Sequence, residues 1–362
     1  MSRLQIQSVR VAEVAYFAQQ AVDKLGAGDI APVSLARARA WTANPHAKPD
    51  DVALLVAYMG TRCVGYFGLL PSLMQIDGKL EPVHWTSTYY VPEEHRSAGV
   101  GALLVMRALA LRLHIAVPDA SEEATALYEK VGFAALPDVN YLEFDLQDAN
   151  LPVRALRRGL RRVWPAGAQA LEARSGLGLA PLRAVLYKSL LSGGTPSGAL
   201  RADTIRAPKP PGDFSFVRDT ATLEWMLHHP WVTTRLSERT PAHYFDDYRE
   251  RFEYRALSVG GGFAIVRVKR ARGRTDVEIL DHDVADPGVL LRLALETAQE
   301  VGADRVCVPA RCDAEVGRSP LLRRLFRTRA RSYMVRFVPG SSAASQIDRL
   351  ELRYSDGDLV FA

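Results

Sequence analysis

The sequence predicts an α/β (α+β) chain of two domains. Three observations carry this. The 362 residues exceed the usual length of one domain roughly twofold. Hairpin-linked strands alternate with amphipathic helices over residues 4–146 and again over 214–338. Between them lie two breaker-rich stretches, Ser192-Gly193-Gly194-Thr195-Pro196-Ser197-Gly198 and Ala207-Pro208-Lys209-Pro210-Pro211-Gly212. The resulting boundaries are a first domain at 1–147, a mainly helical linker at 148–212 and a second domain at 213–362.

The elements of the first domain follow from punctuation. Residues 4–11 alternate as a strand, and Val11–Leu25 and Ser34–Thr42 read as helices, the second ending before Asn44-Pro45. Ala53–Met59 and Cys63–Pro71 form a hairpin across Gly60-Thr61, and Asp77-Gly78 marks the next turn. A strand over Val83–Val91 comes next, then the run His95-Arg96-Ser97-Ala98-Gly99-Val100-Gly101-Ala102 and an apolar helix from Val100 to His114. Glycines at 99 and 101 let backbone approach a ligand with no Cβ in the way. The free N–H groups and positive dipole end of the helix point to the same place, which suits a phosphate. After a short strand at Leu113–Val117 comes Ser121-Glu122-Glu123-Ala124-Thr125-Ala126-Leu127-Tyr128-Glu129-Lys130-Val131-Gly132-Phe133, and Tyr141–Leu146 is expected to close the sheet.

The R-x-x-G-x-G run after a strand ending in Val-Pro resembles the pyrophosphate loop of the GNAT superfamily of N-acetyltransferases, which grips acetyl-coenzyme A. The later segment resembles that superfamily's "N..A..LYEK.GF" helix and turn, with Ser121 standing where Asn is usual. The two motifs lie about thirty residues apart in the family's order. The resemblance covers residues 1–147 and implies a mixed, mainly antiparallel sheet with helices on both faces.

The second half echoes the order of elements. Thr222–Leu227 and Ala242–Arg251 read as helices, Arg255–Val259 and Phe263–Arg270 as a hairpin across Gly260–Gly262, Asp276–Leu280 as a strand and Gly288–Val301 as a helix. Arg305–Val308, Ser319–Phe326 and Ser332–Val338 give strand, helix, strand. Where a phosphate loop would lie, the chain reads Asp281-His282-Asp283-Val284-Ala285-Asp286-Pro287-Gly288. Three carboxylates there repel a pyrophosphate, so this half is expected to be a degenerate GNAT-like domain that shapes the acceptor cleft or regulates. Asp-His-Asp at loop spacing reads as a solvated turn, and no metal is expected.

The resemblance implies direct attack of an amine on the thioester carbonyl of acetyl- or another acyl-coenzyme A, with no metal. Arg96, Ser97, Ala98, Gly99, Val100, Gly101 and Ala102 would hold the pyrophosphate, and Val91 the pantetheine. Tyr128 would protonate the leaving sulfur, as a phenol of pKa near 10 can. In this superfamily a Glu or His often stands four to six residues before that valine as base. By alternation the acceptor face of the strand carries Trp85, Ser87, Tyr89 and Val91, and none of these is a base at neutral pH. His84 has the opposite parity, and Glu81 reaches the cleft only if the strand start bends. Trp85 and Tyr89 would make an aromatic wall of the kind sugar rings favour, pointing to an amino sugar or envelope-polysaccharide precursor. At the C-terminus, Arg353–Phe361 holds an Asp-Gly-Asp turn before apolar residues, and a docked Asp356 or Asp358 would supply the missing carboxylate. A Fem-type aminoacyl transferase also pairs such domains, but the intact loop argues against it. A non-catalytic sensor of a membrane or anionic effector is the third class.

Composition bounds the setting. Hydrophobic residues make up 48% and charged residues 24%, ordinary values for a globular chain. No apolar run reaches the roughly 18–20 residues of a membrane span, and no signal-peptide pattern opens the chain. Cys63, Cys307 and Cys312 lack metal-ligand spacing, and so few suit a reducing, cytoplasmic compartment. The net charge of +5 owes much to Arg154, Arg157, Arg158, Arg161 and Arg162, which fall on one helix face. The first reading of Arg154–Arg162 is a solvated linker helix. The second is peripheral contact with the inner membrane face. Nothing else interleaves basic and aromatic residues, so no nucleic-acid partner is expected.

Overall fold

The structure is a computed structural model that describes residues 3–146, 187–188, 190–191, 198–201, 213–259, 261–358 and 361. The Arg154–Arg162 segment lies outside the described residues. Two compact units account for the chain, each built around one mixed, mainly antiparallel sheet. Neither is continuous in sequence. The first comprises residues 1–139, 207–248 and 331–362, and the second residues 140–206 and 249–330.

The first unit begins with β1 (Leu4–Arg10), α1 (Val11–Asp23) and α2 (Leu35–Thr42), whose first turn is capped by Ser34 accepting from the Arg37 amide. β2 (Val52–Met59), β3 (Arg62–Ile76) and β4 (Lys79–Tyr90) make an antiparallel meander. The short α3 (Glu93–Arg96) and then α4 (Val100–Leu109) return the chain to β5 (His114–Pro118), which runs parallel to β4. α5 (Glu122–Lys130) is capped by Ser121 and leads to β6 (Ala134–Ala135). Two pieces arrive from far along the chain. β9 (Phe214–Phe216) pairs with Met74–Ile76 of β3, and β15 (Tyr333–Arg336) lies between β5 and β6. The helix face of this sheet is a core that joins Leu55, Phe67, Leu69, Val100, Leu104, Ile115, Tyr128, Phe133 and Met334.

The expected start of a second domain at Phe214 is thus not where the second unit starts. Phe214 and Phe216 are buried on the first sheet, and Trp225 of α6 (Thr220–His228) donates its indole N–H to the Ala40 carbonyl at 2.8 Å. The helix expected over 242–251 is absent. There Asp247 accepts the Thr240 amide, Thr233 bridges to Tyr248, and the segment is an extended loop held by these bonds.

The second unit carries β10 (Arg251–Val259), β11 (Gly262–Ala271) and β12 (Arg274–His282) as a meander. α7 (Pro287–Val301) then crosses to β13 (Arg305–Pro309), parallel to β12, followed by α8 (Asp313–Arg318), α9 (Pro320–Leu325) and β14 (Phe326–Arg331). β8 (Leu200–Arg201) edges β10. β7 (Val139–Asp145) was expected to close the first sheet, and instead it pairs antiparallel with β13. Its alternation explains the choice. Leu142, Phe144 and the following Leu146 enter the core beneath α7, while Glu143 and Asp145 on the other face meet Arg305 at 2.7 Å and Arg274 at 2.5 Å. The two units have therefore traded their penultimate strands: β13 takes β7, and β5 takes β15.

Candidate active site

The site grows from a fault in the first sheet. β4 pairs with β5 over Val83–Trp85 alone, so the two strands part beyond Trp85. On its other side, β4 carries a bulge: Ser87 faces Gly68 and Tyr89 faces Phe67, leaving Thr88 unpaired at φ +62°. Gly68 makes the bulge possible, because a Cβ there would lie 2.0 Å from the Ser87 carbonyl oxygen. The extra residue reverses the alternation. Trp85, Ser87 and Tyr90 share one face, while Thr86, Tyr89 and Val91 share the other with Tyr128 and the core beneath α4.

Between the parted strands lies a cavity of about 700 Å³. One end is bounded by Arg96, Gly99, Gly101 and Ala102, the middle by Thr86, Val91 and Tyr128, and the other end by Tyr90, Tyr244, Phe245 and Asp358. Gly99 caps α4 in the left-handed conformation at φ +73°, which presents the first amides of the helix to the cavity. Gly101 lies under Tyr89, whose hydroxyl would be 2.1 Å from a Cβ at that position. Arg96 donates to the Val91 carbonyl at 3.2 Å and stands 3.7 Å from Glu123.

The other loop residues named from the sequence do not line the cavity. Val100 is buried in the core with Leu104, and Ser97 and Ala98 form the exposed turn before Gly99. Trp85 is also displaced from the expected acceptor wall. It packs on Phe216 with ring centroids 4.2 Å apart and on Tyr333, both in the core. Tyr89 borders the glycine end through Gly101, so the aromatic wall at the far end is Tyr90 stacked on Tyr244 at 3.9 Å, with Phe245 beside it. Sequence alternation missed Tyr90 because it had no means to place the bulge, and missed Tyr244 and Phe245 because it read their loop as a helix.

Tyr128 is 2% exposed and 6.3 Å, ring to ring, from Tyr89. Burial pushes its phenol well above the ordinary range, with Tyr89 adding to the rise and a bond to Thr86 opposing it. It therefore stays protonated at neutral pH and has an O–H to donate. His84 is buried and, among the described residues, its ring nitrogens have no hydrogen-bond partner, so burial lowers its pKa to about 4. Glu81 pairs with His114 at 3.1 Å and lies away from the cavity.

The C-terminal segment docks as a structured element. Asp356 is buried against Arg218 at 3.0 Å, and its carbonyl accepts from Tyr333. Phe361 stacks on Trp231 with centroids 4.4 Å apart. A Cβ at Gly357 would lie 3.0 Å from Pro118 and 3.5 Å from Trp85, so the turn threads the gap where β4 and β5 part. That course brings Asp358 to the cavity, while Asp356 is turned inward.

Residues 25–133, which hold the bulge, the loop and Tyr128, match the model of the acetyltransferase (GNAT) family. This segment is GNAT-like. No curated protein matches the chain. Solved structures similar to it include a GCN5-related N-acetyltransferase from Anabaena variabilis, at 12% identity and a TM-score of 0.45 over 93% of this chain and 73% of that one. Another, from Kribbella flavida, shows 15% identity and a TM-score of 0.41 over 93% and 71%. Eis1 from Mycobacterium abscessus shows 14% identity and a TM-score of 0.41 over 95% and 75%.

In the second unit the turn before α7 is closed by local hydrogen bonds. Asp286 caps α7 by accepting the Gly288 amide at 2.8 Å, Asp281 accepts from His282 at 2.9 Å, and Asp283 accepts from Phe263. The chain's own carboxylates thus satisfy the amides of Phe263, His282 and Gly288. This half keeps a second mixed, mainly antiparallel sheet, with the turn before α7 closed by its own side chains. Its cysteines, like Cys63, are buried and free. Among the described residues no helix is long and apolar enough to cross a membrane.

Proposed function

We propose that the GNAT-like domain is an acyl-coenzyme A-dependent N-acyltransferase acting on a small amine. The observation that carries this reading is the single cavity that runs from the left-handed Gly99 cap to the protonated Tyr128 hydroxyl and on to an aromatic end. The free amides of α4 with Arg96 suit the pyrophosphate of the donor, and the gap between β4 and β5 suits its extended arm. The donor supplies a thioester carbonyl, which the amine attacks directly. Tyr128 gives its proton to the departing sulfur. Tyr90, Tyr244 and Phe245 suit an acceptor with a ring or apolar face, and an amino sugar or glycan precursor remains the acceptor class we favour.

Calorimetric titration of acetyl-coenzyme A tests the donor site. Saturable binding is expected for the wild type and none for Gly99→Glu, which puts a carboxylate where the pyrophosphate would lie. Equal affinity in both proteins would remove the loop from the mechanism.

A further inference from the structure

The transfer proposed above needs a group to take the proton of the amine, and the cavity offers few. Its hydroxyls at Thr86, Thr88, Tyr89, Tyr90 and Tyr244 are too weakly basic, and Arg96 is a cation. Among the described residues three carboxylates border it. Asp119 is held by Arg331 at 2.6 Å, and Glu123 is a largely exposed neighbour of Arg96 at the donor end. The remaining one, Asp358, stands at the aromatic end, on the face of β4 that carries Ser87 and Tyr90.

Resting on the N-acyltransferase reading, the geometry points to Asp358 as the base that deprotonates the acceptor amine. Ser87 donates to its Oδ2 at 3.4 Å, and the turn that carries it is fixed on both sides, by Arg218 on Asp356 and by Trp231 on Phe361. Burial raises the carboxyl above its ordinary value, while Arg37 of α2 and Arg331 beside β15 pull it down. Arg37 is itself in contact with the neutral His243, and Arg331 with Asp119, so neither cation forms a direct pair with Asp358. The outcome is a carboxylate more basic than an exposed one, opposite the phenol of Tyr128 across the same cavity.

The protons balance. An ammonium N–H bond breaks, its proton passes to Asp358, and the freed lone pair forms the bond to the acyl carbon. The carbon–sulfur bond then breaks with its electron pair on sulfur, which takes the Tyr128 proton. The second nitrogen proton, lost as the amide forms, restores the phenol, and Asp358 returns its proton to solvent.

The test uses the full chain, thiol release from acetyl-coenzyme A, and two probe amines. 2-Phenylethylamine is an ammonium at neutral pH, whereas aniline is already a free amine. Asp358→Asn is expected to bind acetyl-coenzyme A as the wild type does, which also reports that it is folded. Its kcat with 2-phenylethylamine should fall by roughly 10²–10⁴, and far less with aniline. Ser87→Ala removes a donor to the carboxylate and should move the rise of kcat with pH to higher pH. Equal loss with both amines, a change confined to KM, or an unmoved profile in Ser87→Ala would overturn the assignment. A wild type that binds no acetyl-coenzyme A would instead overturn the donor reading beneath it.

Discussion

Thr88 carries more of the site than its chemistry suggests. A β-branched residue in the left-handed region is disfavoured, and here it turns Tyr90 toward Tyr244 and Tyr89 toward the core beneath α4. That Gly99, Gly101, Arg96 and Tyr128 share one cavity was legible, because local spacing places them. The aromatic wall was not, because a bulge has no signature in a strand of Trp, Thr, Ser and Tyr. Two predictions belong at this scale. Tyr128→Phe should lower kcat by roughly 10²–10⁴ and leave donor affinity unchanged, measured by thiol release and calorimetry. Gly101→Ala should destabilise by about 1–3 kcal/mol through overpacking against the Tyr89 hydroxyl. Adding Tyr89→Phe should recover much of that loss, and additive effects in denaturant titrations would show that the two residues do not touch.

At the scale of elements, strand and helix identities were largely legible, and partners were not. β7 has the alternation expected of a closing strand, but alternation does not say which sheet it closes. Its acidic face decides for β13 and β12, where Arg305 and Arg274 wait, and that pairing depends on residues about 130–160 positions away. The loop over 242–250 failed as a helix for a similar reason: bonds from Thr233 and Thr240 hold it open, and its local propensity yields to them. β3 and β4 offer an element-scale test. Gly68→Ala should drive the bulge apart, since its Cβ meets the Ser87 carbonyl. Loss of acetyl-coenzyme A affinity together with a lower Tm is expected, and an unchanged variant would mean the bulge is not anchored there.

Across the whole molecule, the two units should respond differently to acid. Burial lowers the pKa of His84 and of His243 to about 4, with Arg37 adding to the effect at His243. Each therefore stabilises the first unit fully above its unfolded value of about 6.5, and loses up to about 3 kcal/mol as pH falls toward 4. In the second unit, burial opposes ionisation of Glu278, but Arg267, Lys269 and Arg305 outweigh it and hold its pKa well down. Its contribution is present above the ordinary carboxylate range and fades at lower pH. Trp41, Trp85, Trp225 and Trp231 all lie in the first unit. Tryptophan fluorescence should thus change between pH 6.5 and 4, and His84→Leu should move that change to lower pH. A single transition below pH 4 would refute the assignment.

The traded strands also govern how this protein is born. A ribosome releases the first 139 residues long before it reaches Tyr333, and at roughly 5–20 residues per second the interval is about 10–40 s. Throughout it the β5 edge of the nascent chain waits for a partner that has not been translated, open to any other strand in reach. β7 waits as well, about 160 residues for β13, but the second unit has its last residue at Ala330 while the first still lacks β15. The second unit is therefore free to fold before the first, which closes only when β15 and the C-terminal segment after it have emerged.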